Sequence, residues 1–323
     1  MKEIIRSLPK QIKAAVKLVP HTRPVKKQRW QRILVCGMGG SGISGDLLRV
    51  LYPKCDIVTN KDYTLPQYID ERTCAIVISY SGNTEETLHA FSELNKRRAH
   101  IIALSSNGQL LRKNTDMKIQ VPGGLPPRGA LGYLFAPLPI ILYQYGFINT
   151  NPKKQLIACA HFLENRQLAL EKKARSIAKQ LKNKLTIIYG NSPLFFAAAR
   201  RWQCQFNENA KVLCHVNELP EMNHNEIVGL GRPPALNKHS AVVFLNDTRA
   251  YQRNQRRVSI LKRIIKPFMH TIIEIQPHGR NDIQRLFWTI MLGDYVSFFL
   301  ATLCGIDPLP VKRIDYLKKE LTK

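Results

Sequence analysis

The 323-residue chain is 44% hydrophobic and carries 49 lysines and arginines against 23 aspartates and glutamates, a formal net charge of +26. That length exceeds the ~250–300 residues at which a single core stops growing, so two globular domains are expected. The basic residues are spread over short clusters at 26–29, 200–201 and 253–257, without a long arm or a familiar DNA-binding motif, so the charge reads as a field for anionic substrates and not as a nucleic-acid surface.

Residues 1–19 interleave lysines, glutamine and Glu3 with apolar positions and lack the apolar core and cleavage site of a secretion signal, which places the chain in the cytoplasm. Short β-branched runs follow at 32–36, 56–59, 74–78, 100–104 and 117–121, with helical patterns at 43–51 and 85–97. Runs of this length separated by helices read as parallel strands with right-handed crossovers, a doubly wound α/β domain. The most apolar stretch, 129–147, is interrupted by Pro137, Pro139 and Gln144 and falls short of the ~20 residues of a membrane span, so no membrane is expected as a partner.

The rhythm breaks at Asn149-Thr150-Asn151-Pro152, ahead of a charged helical stretch at 161–184. The domains are therefore set at 1–152 and 153–323. Beyond the break, strand 185–189 runs into Gly190-Asn191-Ser192 and a helix near 195–210. Strands at 241–245 and 271–275, with helices at 257–265 and 283–303, complete a second α/β unit. Seven cysteines, at 36, 55, 74, 159, 204, 214 and 304, form no CxxC pair and read as reduced, buried thiols.

Two segments carry chemistry. Gly37-Met38-Gly39-Gly40-Ser41-Gly42 follows a strand and opens a helix, where unpaired backbone N–H groups and the helix dipole attract an anion. The same glycines satisfy GxGxxG, a nicotinamide-binding pattern, but its acidic partner is poorly met. Asp56 starts the second run and Asp62 lies past its end. The second segment, Ser79-Tyr80-Ser81-Gly82-Asn83-Thr84, again joins a strand to a helix and offers three hydroxyls. In a parallel sheet both loops emerge on one edge and can face one small dianion. Gly40, Ser41, Ser79, Ser81 and Thr84 are the expected phosphate-binding residues.

With Gly45-Asp46 and Glu218-Leu219-Pro220-Glu221-Met222-Asn223-His224-Asn225-Glu226, these segments resemble the sugar isomerase (SIS) domain family. The likeness is greater to the bifunctional phosphoglucose/phosphomannose isomerases of bacteria and archaea. The resemblance implies two doubly wound, flavodoxin-like SIS domains, a homodimer, and no metal or other cofactor. It implies a phosphorylated hexose substrate, with glucose 6-phosphate and fructose 6-phosphate interconverted through a cis-enediol and mannose 6-phosphate as a second aldose.

The resemblance also implies roles. Glu208 becomes the base that moves a proton between C1 and C2, and Arg128, in Pro126-Pro127-Arg128-Gly129, the cation beside the enediolate. His224, supplied by the neighbouring subunit, opens the sugar ring with help from a lysine near the C-terminus. Lys318 is the chosen position, and Lys312 and Lys319 remain open. A metal set of His215, Glu218, His224 and Glu226 lacks a His-x-x-x-His pair. One departure stands out: where the family often has Asp-Pro-Thr-Pro, this chain reads Asp307-Pro308-Leu309-Pro310, which makes the mannose activity less secure than the glucose activity. A non-catalytic sugar-phosphate sensor is the competing reading.

Overall fold

The computed structural model describes residues 1–20 and 30–321; the basic cluster at 26–29 lies outside them. The chain divides into two compact units. One comprises Glu3–Arg166 with Gly279–Phe287, and the other Met1–Lys2, Gln167–His278 and the chain from Trp288 onward.

The N-terminal unit holds a parallel sheet of β1 (Arg32–Cys36), β2 (Ile57–Asn60), β3 (Thr73–Ile78), β4 (His100–Ser105) and β5 (Met117–Gln120), in the order β2-β1-β3-β4-β5. All four pairings are parallel. Central β3 is buried along its whole length, as a strand covered on both faces must be. At the edge, β5 alternates buried Met117 and Ile119 with exposed Lys118 and Gln120. The helices are α1 (Lys2–Arg6), α2 (Leu8–Ala15), α3 (Gly39–Leu51), α4 (Glu85–Lys96), α5 (Gln109–Arg112), α6 (Leu131–Phe135), α7 (Pro137–Gln144) and α8 (Lys153–Glu164). One face of the sheet is packed by Leu34, Ala75, Val77 and Ala103 against Phe91 and Leu94 of α4. Strand order reverses between β1 and β3, and in such sheets the crevice beyond the carboxyl ends of those two strands is where ligands bind.

The C-terminal unit repeats the plan with β6 (Leu185–Gly190), β7 (Cys214–Glu218), β8 (Ser240–Leu245) and β9 (Ile272–Ile275) in the parallel order β7-β6-β8-β9. Its helices are α9 (Gln167–Leu181), α10 (Pro193–Gln205), α11 (Glu226–Gly229), α12 (Gln252–Ile265), α13 (Asp282–Leu303), whose first turns belong to the other unit, and α14 (Lys312–Leu321). Helix α13 is long and apolar enough to cross a membrane, yet 83% of its apolar window is buried within the protein. Tyr189, Val242 and Phe244 of the sheet pack on Val258, Leu261 and Ile265 of α12.

Three features differ from the sequence expectations. Strand β7 was not expected, because this edge strand buries only Cys214 and reads Cys-His-Val-Asn-Glu, with no apolar run to betray it. The charged stretch 161–184 is two helices, broken at Asn165 and Arg166. Helix α8, assigned above to the second domain, packs against α2 in the N-terminal unit and is tied to it by a 2.5 Å ion pair from Lys13 Nζ to Glu164 Oε2. The chain therefore leaves that unit at Arg166. The cysteines are thiols, four buried and three half-buried, and burial pushes the Cys36 thiol up to about 12.

Candidate functional site

Helix α3 begins inside the glycine loop, so Gly40, Ser41 and Gly42 form its first turn. A Cβ on Gly42 would lie 2.3 Å from the Gly37 carbonyl oxygen, and only a glycine lets the turn close this tightly. Met38 at the N-cap makes no side-chain capping bond; the Ser41 and Gly42 N–H groups bond the Met38 carbonyl at 2.9 and 3.0 Å, so the N–H groups of Gly39 and Gly40 ahead of them are the ones placed for an anion. Ser41 is buried, and its Oγ accepts the backbone N–H of Tyr80 at 3.3 Å. The two loops foreseen from sequence are thereby joined.

In the second loop the Ser79 and Thr84 hydroxyls lie 2.9 Å apart, and the Thr84 N–H reaches Ser79 Oγ at 3.4 Å. Thr84 occupies the N-cap of α4 without capping it, so its hydroxyl is committed to Ser79 and not to the helix. Ser81 is exposed and accepts the Asn83 N–H at 3.3 Å. Gly82 has φ +70°, and a Cβ there would fall 1.7 Å from the Asn107 carbonyl oxygen. This glycine keeps the loop packed and does not itself face a ligand.

Arg128 sits in a 3-10 turn, Pro127–Gly129, and is 3% exposed. Two residues that the sequence did not single out hold it there. Gln11 of α2 donates to the Gly129 carbonyl at 2.8 Å and accepts the Gly132 N–H at 3.1 Å, bracketing the turn. Tyr80 Oη donates to the Pro122 carbonyl at 2.9 Å and accepts the Leu125 N–H at 3.1 Å, tying the serine loop to the segment that leads into Arg128. No motif carries either signal; each depends on partners more than 40 positions away.

The equivalent switch point of the C-terminal unit, at the ends of β6 and β8, is filled by its own side chains. Asn191 donates to Asn246 Oδ1 at 2.6 Å and accepts the Asp247 N–H at 2.7 Å, while Ser192 Oγ bonds Asp247 Oδ2 at 3.3 Å. Asp247 is 5% exposed. A buried acidic side chain in this place disfavours an anion, whereas the corresponding loops of the N-terminal unit, Gly37 to Gly42 and Ser79 to Thr84, carry none.

Glu208 lies elsewhere in that unit's counterpart. Helix α10 ends in a π-helical turn, Phe206–Ala210, stopped by Lys211 at φ 58°; such turns recur at functional sites. The turn sets Glu208 on the wall of a cavity of about 620 Å³, with Asn207, Lys211, Asp307, Lys312 and Arg313 among its lining. Lys211 Nζ donates to the Glu208 backbone carbonyl. Lys318 is exposed on α14 and does not line the cavity, but Ile314 does, and Lys318 follows Ile314 by one turn on the same helical face.

His224 ends a 3-10 turn, Glu221–His224, and is exposed. Two residues on, Glu226 anchors the segment. Its carboxylate accepts Tyr189 Oη at 2.5 Å and Asn217 Nδ2 at 2.6 Å, and lies 3.0 Å from His215 Nε2. Burial pushes the Glu226 carboxyl up, but these three bonds outweigh it and hold the group below its ordinary range. The same contact, with burial first, raises the Tyr189 phenol. Of His215, Glu218, His224 and Glu226, His215 and Glu226 bind each other, and among the described residues no group of three or more such side chains is gathered as for a metal ion.

The family profile for the SIS domain matches residues 28–131, and that described as the bacterial phospho-glucose isomerase C-terminal SIS domain matches residues 170–321. A bifunctional phosphoglucose/phosphomannose isomerase from Caldicellulosiruptor bescii is 39% identical, over 100% of this chain and 99% of that protein. One from Thermoplasma volcanium is 35% identical, over 92% and 93%. Among solved structures, tagatose-6-phosphate ketose/aldose isomerase from Escherichia coli superposes with a TM-score of 0.71 at 15% identity, covering 95% of this chain and 94% of that one; at that identity it shows a shared fold.

Proposed function

The chain belongs to the bifunctional phosphoglucose/phosphomannose isomerase family, and from that premise we propose that it interconverts glucose 6-phosphate and fructose 6-phosphate, with mannose 6-phosphate as a second aldose. The phosphate is held by Gly40, Ser41, Ser79, Ser81 and Thr84. His224 and Lys318 move the protons that open the ring, passing one from the C1 hydroxyl and delivering one to the ring oxygen. Glu208 then takes the C2 proton of the aldose to give a cis-enediol and returns it to C1, and the Arg128 guanidinium stabilises the developing enediolate oxygen.

The observation that carries this reading is the placement of Glu208. A carboxylate on a π-turn projects at a cavity of about 620 Å³ that it shares with cations Lys211, Lys312 and Arg313, a volume in the range of small-molecule sites. We further propose a cytoplasmic homodimer in which His224 acts in the partner's site. Exposed His224 supports it, as do Tyr316, Leu317 and Leu321, which leave α14 with an uncovered apolar face.

An activity panel tests the reading: glucose, mannose, fructose and sedoheptulose phosphates with purified protein and EDTA. Turnover of the three hexose phosphates is expected to survive the chelator. Turnover of the heptulose phosphate alone, or of none, overturns it.

A further inference from the structure

Helix α10 and the π-turn carry Arg201, Gln205 and Asn209 at spacings of four, on one face, each at most 1% exposed. They meet a matching stripe on α13. Arg201 grips Asp294 with both prongs of its guanidinium, Nε to Oδ1 at 3.1 Å and Nη2 to Oδ2 at 3.0 Å. Gln205 adds a bond to the same carboxylate. Asn209 Nδ2 donates to Ser297 Oγ at 2.9 Å, and Ser297 Oγ donates to the Asp294 carbonyl at 2.7 Å. Beside them Trp202 Nε1 donates to the Thr289 carbonyl at 2.9 Å, in space that exists because residue 293 is glycine.

This ladder runs through an apolar core of Trp202, Phe206 and Tyr295. A buried ion pair there stabilises little, because removing both charges from water offsets their attraction; burial raises the Asp294 carboxyl in spite of Arg201. What fixed hydrogen-bonding partners supply is register. A one-residue slip rotates a helix by about 100°, which would carry Glu208 off the cavity wall. Apolar side chains tolerate such sliding far better than a guanidinium–carboxylate fork does. The last rung, Asn209, is the immediate neighbour of Glu208.

We propose that the Arg201–Asp294 and Asn209–Ser297 pairs are positioning elements of the isomerase, locking the π-turn against α13 so that Glu208 faces its substrate. The proposal rests on Glu208 being the base. It is tested with two apolar double variants, R201M/D294L and N209L/S297A, and the single variants Ser297→Ala and Ser297→Thr. The apolar doubles are expected to keep or raise the melting temperature and to keep KM, while kcat falls about 10- to 100-fold, the cost of a misplaced catalytic group. The acid limb of the kcat–pH profile should move in the same variants. Ser297→Thr, which retains the hydroxyl, should restore what Ser297→Ala loses. Apolar doubles with wild-type kcat overturn the proposal. So does a Ser297→Ala variant whose kcat falls only as its folded fraction falls. The functional reading fails separately, if the wild-type protein shows no isomerisation or Glu208→Gln retains it.

Discussion

A Cβ on Gly40 would lie 2.9 Å from the Pro127 carbonyl oxygen and 3.1 Å from the Arg128 Cα. The first turn of α3 and the arginine turn touch only because residue 40 has no side chain. The phosphate-type loop and the cation assigned to the enediolate are therefore one packed assembly, with Gln11 closing its far side.

Gly40→Ala should consequently damage catalysis more than folding. Overpacking by one methyl group costs about 1–3 kcal/mol of stability, but the methyl displaces the Arg128 turn or the helix start. A fall in kcat/KM of about 100-fold is expected, the scale of a 1 Å misplacement. Steady-state kinetics beside a thermal melt measure both. A variant with unchanged kcat/KM would separate Arg128 from the reaction.

Ser79, a residue only 1% exposed, loses in Ser79→Ala the hydroxyl that lies 2.9 Å from Thr84 Oγ1. A hydrogen bond to a charged group is worth about 1.5–3 kcal/mol. Inhibition by inorganic phosphate should weaken about tenfold or more, with kcat nearly preserved. An unchanged inhibition constant would remove Ser79 from the phosphate site.

Leu309, 46% exposed, lies in the loop entering α14, next to cavity-lining Pro310. Restoring a hydroxyl with Leu309→Thr should raise the mannose-to-glucose ratio of kcat/KM by about 3- to 10-fold, the size of a small polar contact. Competition between the two aldose phosphates reads that ratio directly. A ratio that stays put places epimer choice elsewhere.

Glu226 links pH to stability. Its folded-state pKa is depressed below 4.5, so its contribution is complete above the unfolded value and disappears as pH falls through the folded one. Wild-type protein should melt at a higher temperature than Glu226→Gln at every pH above about 4.5, and the two curves should converge in acid. Parallel curves down to acid pH would mean that the carboxylate is not the held species.

The fold was legible wherever burial is two-sided. Runs such as 74–78 and 241–245 announce strands that hydrogen-bond on both edges and are covered on both faces, whereas β7 hides in a polar sequence because it packs on one side only. The strand-to-helix loops were readable because glycine and serine requirements are local. The supports of the site were not: Gln11 reaches Gly129, Tyr80 reaches Pro122 and Asn209 reaches Ser297, and no local pattern encodes a partner that far along the chain. Nor does composition reveal that α10 ends in a π-turn, the feature that aims Glu208.

Solvent deuterium incorporation tests the central claim most directly. When wild-type protein equilibrates hexose 6-phosphates in heavy water, deuterium should enter C2 of glucose 6-phosphate and C1 of fructose 6-phosphate. Glu208→Gln should still bind the phosphosugar but incorporate none. Binding without exchange by the wild-type chain, or exchange that survives Glu208→Gln, would contradict the account.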